Sequence, residues 1–220
     1  GQSGPLRDAP GHDLGYQALA GGLSMAERRD GVMDVPGIQI ADLAGGSLTA
    51  ALRIAAALVA REQTGEGAWL DVSMTEGMLA MVAPVVAGTA ASGTDPQPGA
   101  GVLTGGNAQY RVYACKDGRS IAVAALEPKF WDAFNAAVGG SISPDSVVLE
   151  SFFKERTRDA WVELLGGACC EPVLEVSELA SHPQHVARGA LTGDGENIRV
   201  SHPFEGGAQS AIGYAALWAS

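Results

Sequence analysis

A glycine- and proline-rich stretch, Ala91 to Gly106, divides this chain into two parts with different hydrophobic patterns. Before it, apolar residues recur at helical spacing. Beyond it, two β-rich runs flank a turn signal. A change of period across a linker marks two structural units. The predicted division is a large-domain segment over residues 1–90, a linker over 91–106, a small α+β domain over 107–168, and a returning connector with a divergent tail over 169–220.

In the front part, Gly1-Gln2-Ser3-Gly4-Pro5 reads as loop, so the chain is expected to be the rear portion of a longer protein. A short helix is predicted near Leu14 to Ala20, followed by a polar surface loop from Met25 to Pro36. Asp42 then sits just before a helix running to about Arg61. Leu48, Leu52, Ala55, Ala56 and Val59 give it a face predicted to be buried. Thr64-Gly65-Glu66-Gly67 supplies the glycine that a helix end favours. Ala68 to Val72 reads as a strand. Ser73-Met74-Thr75-Glu76 reads as a capping box opening a helix to about Val86. Strand, cap and helix in that order read as part of an α/β unit.

In the rear part, Tyr110 to Cys115 and Ser120 to Ala125 flank Lys116-Asp117-Gly118-Arg119, a hairpin signal. Helices are predicted over about Lys129 to Val138, with Pro128 near the first turn, over Pro144 to Lys154, and over Arg158 to Leu165. After Cys169 come Val173-Leu174, a short helix near Ser177 to Ser181, and His182-Pro183.

Composition narrows the function classes. Hydrophobic residues make up 46% of the 220 and charged residues 18%, which fits a globular enzyme or subunit. A net charge of −11 argues against a nucleic-acid surface, which needs clustered cations. No run of 18 uninterrupted apolar residues occurs, so no membrane span is expected. Cys115, Cys169 and Cys170 are unpatterned and read as reduced thiols of a cytoplasmic protein. His182 and His185 lie near Cys169 and Cys170, but Pro183 interrupts the spacing, and no metal site is expected.

Three separated segments carry ionisable groups beside glycine or proline: Gly11-His12-Asp13, Ala41 to Ser47, and Ala125 to Trp131. Asp42 precedes a helix, where a carboxylate caps free N–H groups. Gly45 and Gly46 each weaken that helix by about 1 kcal/mol, a cost that makes sense if a backbone or a ligand approaches closely. His12 is either a hydrogen-bonding loop residue or a base active near neutral pH. Glu127 is either a carboxylate complementing a helix dipole or a site residue. Asp13 and Tyr16 are either an Asx turn and a packed aromatic, or site residues.

Taken together, Gly11-His12-Asp13-Leu14 with Tyr16, Ala41-Asp42 with Gly45-Gly46, Thr64 to Gly67, Asp71, Glu76-Gly77, Tyr113 with Asp117-Gly118-Arg119, Glu127 to Phe130 and Pro172-Val173 resemble the family III CoA-transferase superfamily (CaiB/BaiF type), in particular its α-methylacyl-CoA racemase branch. The resemblance implies an α/β fold: the C-terminal part of a Rossmann-like CoA-binding large domain plus a small α+β domain, in an interlocked homodimer. It implies that Asp42 and His12 exchange protons at the α-carbon of a 2-methyl-branched acyl-CoA. Glu127 would orient the histidine, and Asp13 and Tyr16 would line the acyl-thioester end of the CoA site. Coenzyme A would enter as part of the substrate, with no other cofactor. Where racemases of the family read Asp-Gly-Gly-Ala-Pro, this chain has Thr104-Gly105-Gly106-Asn107-Ala108. That departure keeps open a CoA-transferase, in which Asp42 would form an acyl anhydride and then a CoA thioester. A non-catalytic subunit is the third alternative.

Overall fold

The computed structural model describes residues 1–26, 28–29, 32–193 and 197–201. The tail expected to diverge therefore lies largely outside the described residues.

The front part is helical. Helix α1 (Asp13–Leu19) leads through a 3-10 turn, Gly22–Met25, to a minimal hairpin of β1 (Arg28–Arg29) and β2 (Val32–Met33), so the loop expected between Met25 and Pro36 contains paired backbone. The next helical stretch begins wide-wound, as a π-helix over Ala41–Leu48, and continues as α2 (Thr49–Thr64). Gly65 ends it at φ +75°, with its N–H donating to the Arg61 carbonyl at 2.8 Å, the role its sequence context predicts. Helix α3 (Met74–Met81) follows, with Ser73 Oγ accepting the Glu76 N–H at 3.3 Å. The expected helix to Val86 breaks at Val82 and resumes as α4 (Ala83–Ser92), bent 59° from α3. The helix thus extends into the first residues read as linker.

Gly45 and Gly77 explain how these helices meet. A Cβ on Gly45 would stand 2.7 Å from the Met74 carbonyl oxygen, and one on Gly77 would overlap the Gly45 carbonyl. The close neighbour that the Gly45-Gly46 pair implied is therefore another backbone. A small cluster of Ala20, Ala41, Met78 and Val82, joined by Tyr16 and Met25, fills the junction.

Two expectations for this part are corrected. Residues 68–72 form no strand, because no described segment pairs with them in a backbone ladder. The apolar face of α2 is also uncovered: Leu48, Leu52 and Val59 are 65%, 73% and 62% exposed. Periodicity names the face that favours burial but not what covers it. The whole stretch Ala41–Thr64 has the length and apolarity to cross a membrane. Its first turns rest against α3 at Gly45, and the Arg53 guanidinium donates to the Asp71 carbonyl.

The rear part follows the predicted order closely. Strands β3 (Tyr110–Ala114) and β4 (Ser120–Ala124) pair antiparallel from Tyr110↔Ala124 to Ala114↔Ser120, with Gly118 at φ +76° in the turn. Helices α5 (Pro128–Val138), α6 (Ser146–Phe153) and α7 (Arg158–Leu164) pack on one face. Alternation sends Tyr113, Ile121 and Val123 inward against Phe134, Leu149, Phe153, Trp161 and Leu165, all at most 2% exposed. Trp161 Nε1–H donates to the Phe153 carbonyl at 2.8 Å and Tyr113 O–H to the Ala108 carbonyl at 2.7 Å, so both buried aromatics satisfy their polar ends.

The segment after Cys169 is more than a connector. Strand β5 (Cys170–Pro172) adds to β4, and the predicted short helix is the 3-10 segment Val176–Ser181. Helix α8 (Pro183–Arg188) and the pair β6 (Leu191–Thr192) and β7 (Arg199–Val200) come next. Arg158, 3% exposed, pins this return: Nη1 and Nη2 each donate to the Glu178 carboxylate at 2.7 Å, and Nη1 also donates to the Val173 carbonyl at 3.0 Å. The architecture is mixed α/β, and every strand pair among the described residues is antiparallel.

Candidate active site

His12 ends an extended segment immediately before α1, at φ −133° and ψ 167°. Gly11 fixes its approach: a Cβ there would meet the Tyr16 ring at 2.6 Å, so only glycine lets the aromatic fold back over the loop. Asp42 stands in the first turn of the wide-wound helix, not before it as expected. Ile40 occupies the capping position and supplies no side-chain acceptor.

The missing cap comes from elsewhere in the chain. Asp13 Oδ1 accepts the backbone N–H of Ala41 at 2.8 Å and of Asp42 at 3.0 Å, while Oδ2 accepts Gln17 Nε2–H at 2.6 Å. Residues separated by 28 and 29 positions are thereby joined.

One cavity of about 250 Å³ is lined by His12, Asp13, Leu14, Val35, Pro36, Gln39 and Asp42. It brings together an imidazole and a carboxylate from separate segments, with Asp13 between their backbones. His12 is exposed and Asp42 half-buried, so both can reach a small molecule entering from solvent. A neutral imidazole and a carboxylate facing one carbon can take a proton from one side and return one from the other. A carboxylate in the same place can also attack a thioester carbonyl.

The other sequence candidates fall outside this cavity. Tyr16 lies against Gly11 and the small helical cluster, as a packed aromatic. Glu127 is exposed at the start of α5, makes no side-chain capping bond, and lies beyond the cavity lining. Gln39, Val35 and Pro36 were not anticipated. Their only signal was proximity to Asp42 in sequence. A second, larger cavity of about 920 Å³ lies between Gly105-Gly106 and the outer sheet surface at Val112, Ala122 and Ala124. Gly106 is required there, because a Cβ would overlap the Ala100 carbonyl. Among the described residues, no group of three or more His, Cys, Asp and Glu is placed to hold a metal ion. The His182 and His185 rings lie 5.0 Å apart, and His185 Nδ1 pairs with the Leu179 carbonyl at 2.9 Å.

Comparison with known proteins gives the family and the fold. Residues 1–203 match the family model for CoA-transferase family III. The chain is 35% identical over 219 residues to a CaiB/baiF CoA-transferase family protein of Caenorhabditis elegans, covering 90% of this chain and 61% of that protein. It is 32% identical over 205 residues to the human alpha-methylacyl-CoA racemase, covering 87% and 54%. It is 29% identical over 226 residues to the acetyl-CoA:oxalate CoA-transferase of Acetobacter aceti, covering 93% and 57%. The chain thus spans between 54% and 61% of these relatives' own length. The crystal structure of a CAIB/BAIF family protein from Brucella suis shares the fold, with a TM-score of 0.74 at 23% identity over 92% of this chain and 58% of that one.

Proposed function

This chain belongs to CoA-transferase family III, and on that premise we propose that it epimerises the α-carbon of a 2-methyl-branched acyl-CoA through an enolate. The single observation that carries this reading is the shared cavity of His12 and Asp42. The α-C–H bond breaks and its proton passes to one of these two groups. The electron pair delocalises into the thioester as the enolate. The other group then delivers its proton to the opposite face, and exchange with solvent resets both. General acid–base catalysis of this kind contributes about 10²- to 10⁴-fold per group. Identity to the human racemase supports it.

A second reading has its own support. The 29% identity to an acetyl-CoA:oxalate CoA-transferase, and Thr104-Gly105-Gly106-Asn107-Ala108, favour CoA transfer. There the Asp42 carboxylate attacks the thioester carbonyl and expels CoA thiolate. The thiolate then attacks the resulting anhydride to leave CoA on Asp42 and release the acid.

We further propose the Rossmann-like large domain and an interlocked homodimer. The uncovered apolar residues of α2 support such an assembly, since a patch of that kind marks an interface or an unfinished core. In it Glu127, outside the cavity lining within one chain, faces His12 and Asp42 of the partner subunit. Asp13 and Tyr16 stand at the acyl-thioester end, and coenzyme A is bound only as part of the substrate. Three free cysteines support a reducing, cytoplasmic setting.

The test separates the two chemistries at the protein's natural length. Deuterium from solvent entering the α-carbon of a 2-methylacyl-CoA, without CoA exchange onto an added carboxylate, supports epimerisation. Hydroxylamine capture of a CoA thioester on Asp42, without deuterium entry, overturns it in favour of transfer.

A further inference from the structure

Asp13 is adjacent to His12, yet its carboxylate is committed to other neighbours. Both oxygens are used: two backbone N–H groups on Oδ1 and the Gln17 amide on Oδ2. The arrangement is buried, with Asp13 9%, Gln17 2% and Ala41 0% exposed. The first N–H groups of a helix have no intrahelical partner, and a buried donor left alone is costly. Here two of them are satisfied by the residue that follows His12 in the chain.

We infer that Asp13 is a positioning residue, whose Oδ1, accepting both the Ala41 and Asp42 N–H groups, sets the spacing between the His12 imidazole and the Asp42 carboxylate. This rests on the proposed roles of His12 and Asp42. The geometry gives a reason for an aspartate. An alanine would release both N–H groups. An asparagine keeps Oδ1 for both, and the Gln17 amide turns over to present its oxygen to the new NH₂. A glutamate retains the charge but displaces the acceptor by one methylene. Misplacement of reacting groups by about 1 Å costs on the order of 10²-fold.

The experiment uses the protein at natural length with Asp13→Asn, Asp13→Glu and Asp13→Ala. Two quantities are read: hydrogen exchange of the Ala41 and Asp42 amides, and the kcat and KM for α-deuterium entry. Asp13→Asn is expected to keep exchange at the two amides within about threefold of wild type. Asp13→Glu and Asp13→Ala are expected to speed exchange at the two amides by at least about tenfold. Their kcat should fall about 10²-fold with KM nearly constant. Should Asp13→Ala not fold, the Asn and Glu variants still oppose geometry to charge. The inference is overturned if Asp13→Glu matches wild type. It is also overturned if Asp13→Ala loses kcat while both amides stay protected, because the loss would then not pass through them. If wild type shows no deuterium entry, the proposed reaction fails, and the amide measurement alone decides whether Asp13 holds Asp42.

Discussion

Gly77 sits against Gly45 so closely that the two backbones leave no room for a methyl group between them. The contact joins α3 to the first turns of the helix that carries Asp42, so it supports the site from behind. Gly77→Ala is expected to destabilise the fold by about 1–3 kcal/mol, the usual cost of overpacking. Urea unfolding measures it. Gly88→Ala, where a Cβ meets nothing within 4 Å, is the control and should not destabilise.

The Arg158–Glu178 pair gives an acid-sensitive hold. The Arg158 guanidinium, hydrogen-bonded to the Glu178 carboxylate, lowers that carboxyl from 4.5 to about 2, helped by the Glu175 backbone N–H. The folded value lies below the unfolded one. The pair therefore stabilises the fold fully above pH 4.5, and that contribution is lost as pH falls toward about 2. Glu178→Gln should lower stability at neutral pH and show a flatter decline over the same window. Denaturant midpoints at stepped pH measure both.

Trp161 closes the rear core at 1% exposure, with its indole N–H on the Phe153 carbonyl. Trp161→Ala is expected to cost about 3–5 kcal/mol. Trp161→Phe keeps most of the volume but frees the carbonyl, and should cost about 1–3 kcal/mol. Chemical denaturation of the two variants separates packing from hydrogen bonding.

Burial pushes the Cys115 thiol up to about 11 and the Cys170 thiol up to about 12, while Cys169 is half-exposed. A thiol protonated at neutral pH reacts slowly. Titration with a disulfide reagent at pH 7.5 should modify Cys169 rapidly in the native protein. Cys115 and Cys170 should react only after denaturation.

Where local chemistry decides, the sequence was sufficient. Asp117-Gly118 specified the β3–β4 turn, Pro128 the start of α5, Gly65 the end of α2, and Ser73 the cap of α3. Each depends on residues within a few positions. What escaped depends on distant partners. Ala68 to Val72 has strand composition but no neighbouring strand, whereas Cys170 to Pro172 becomes a strand because β4 offers an edge. Asp42 reads as a cap in the sequence because no local rule shows that Asp13 already fills that role from 29 positions away. His12 and Asp42 were legible as a pair only through the resemblance, and their common cavity is a tertiary fact.

The central claim is that His12 and Asp42 serve opposite faces of one carbon. It is tested most directly by supplying the two α-methyl epimers separately in deuterated water to wild type, His12→Ala and Asp42→Asn. Wild type should introduce deuterium into both epimers and interconvert them. Each variant should lose interconversion by at least about 10²-fold while still exchanging the α-proton of one epimer, a different one for each variant. Either variant interconverting the epimers at the wild-type rate would contradict the account.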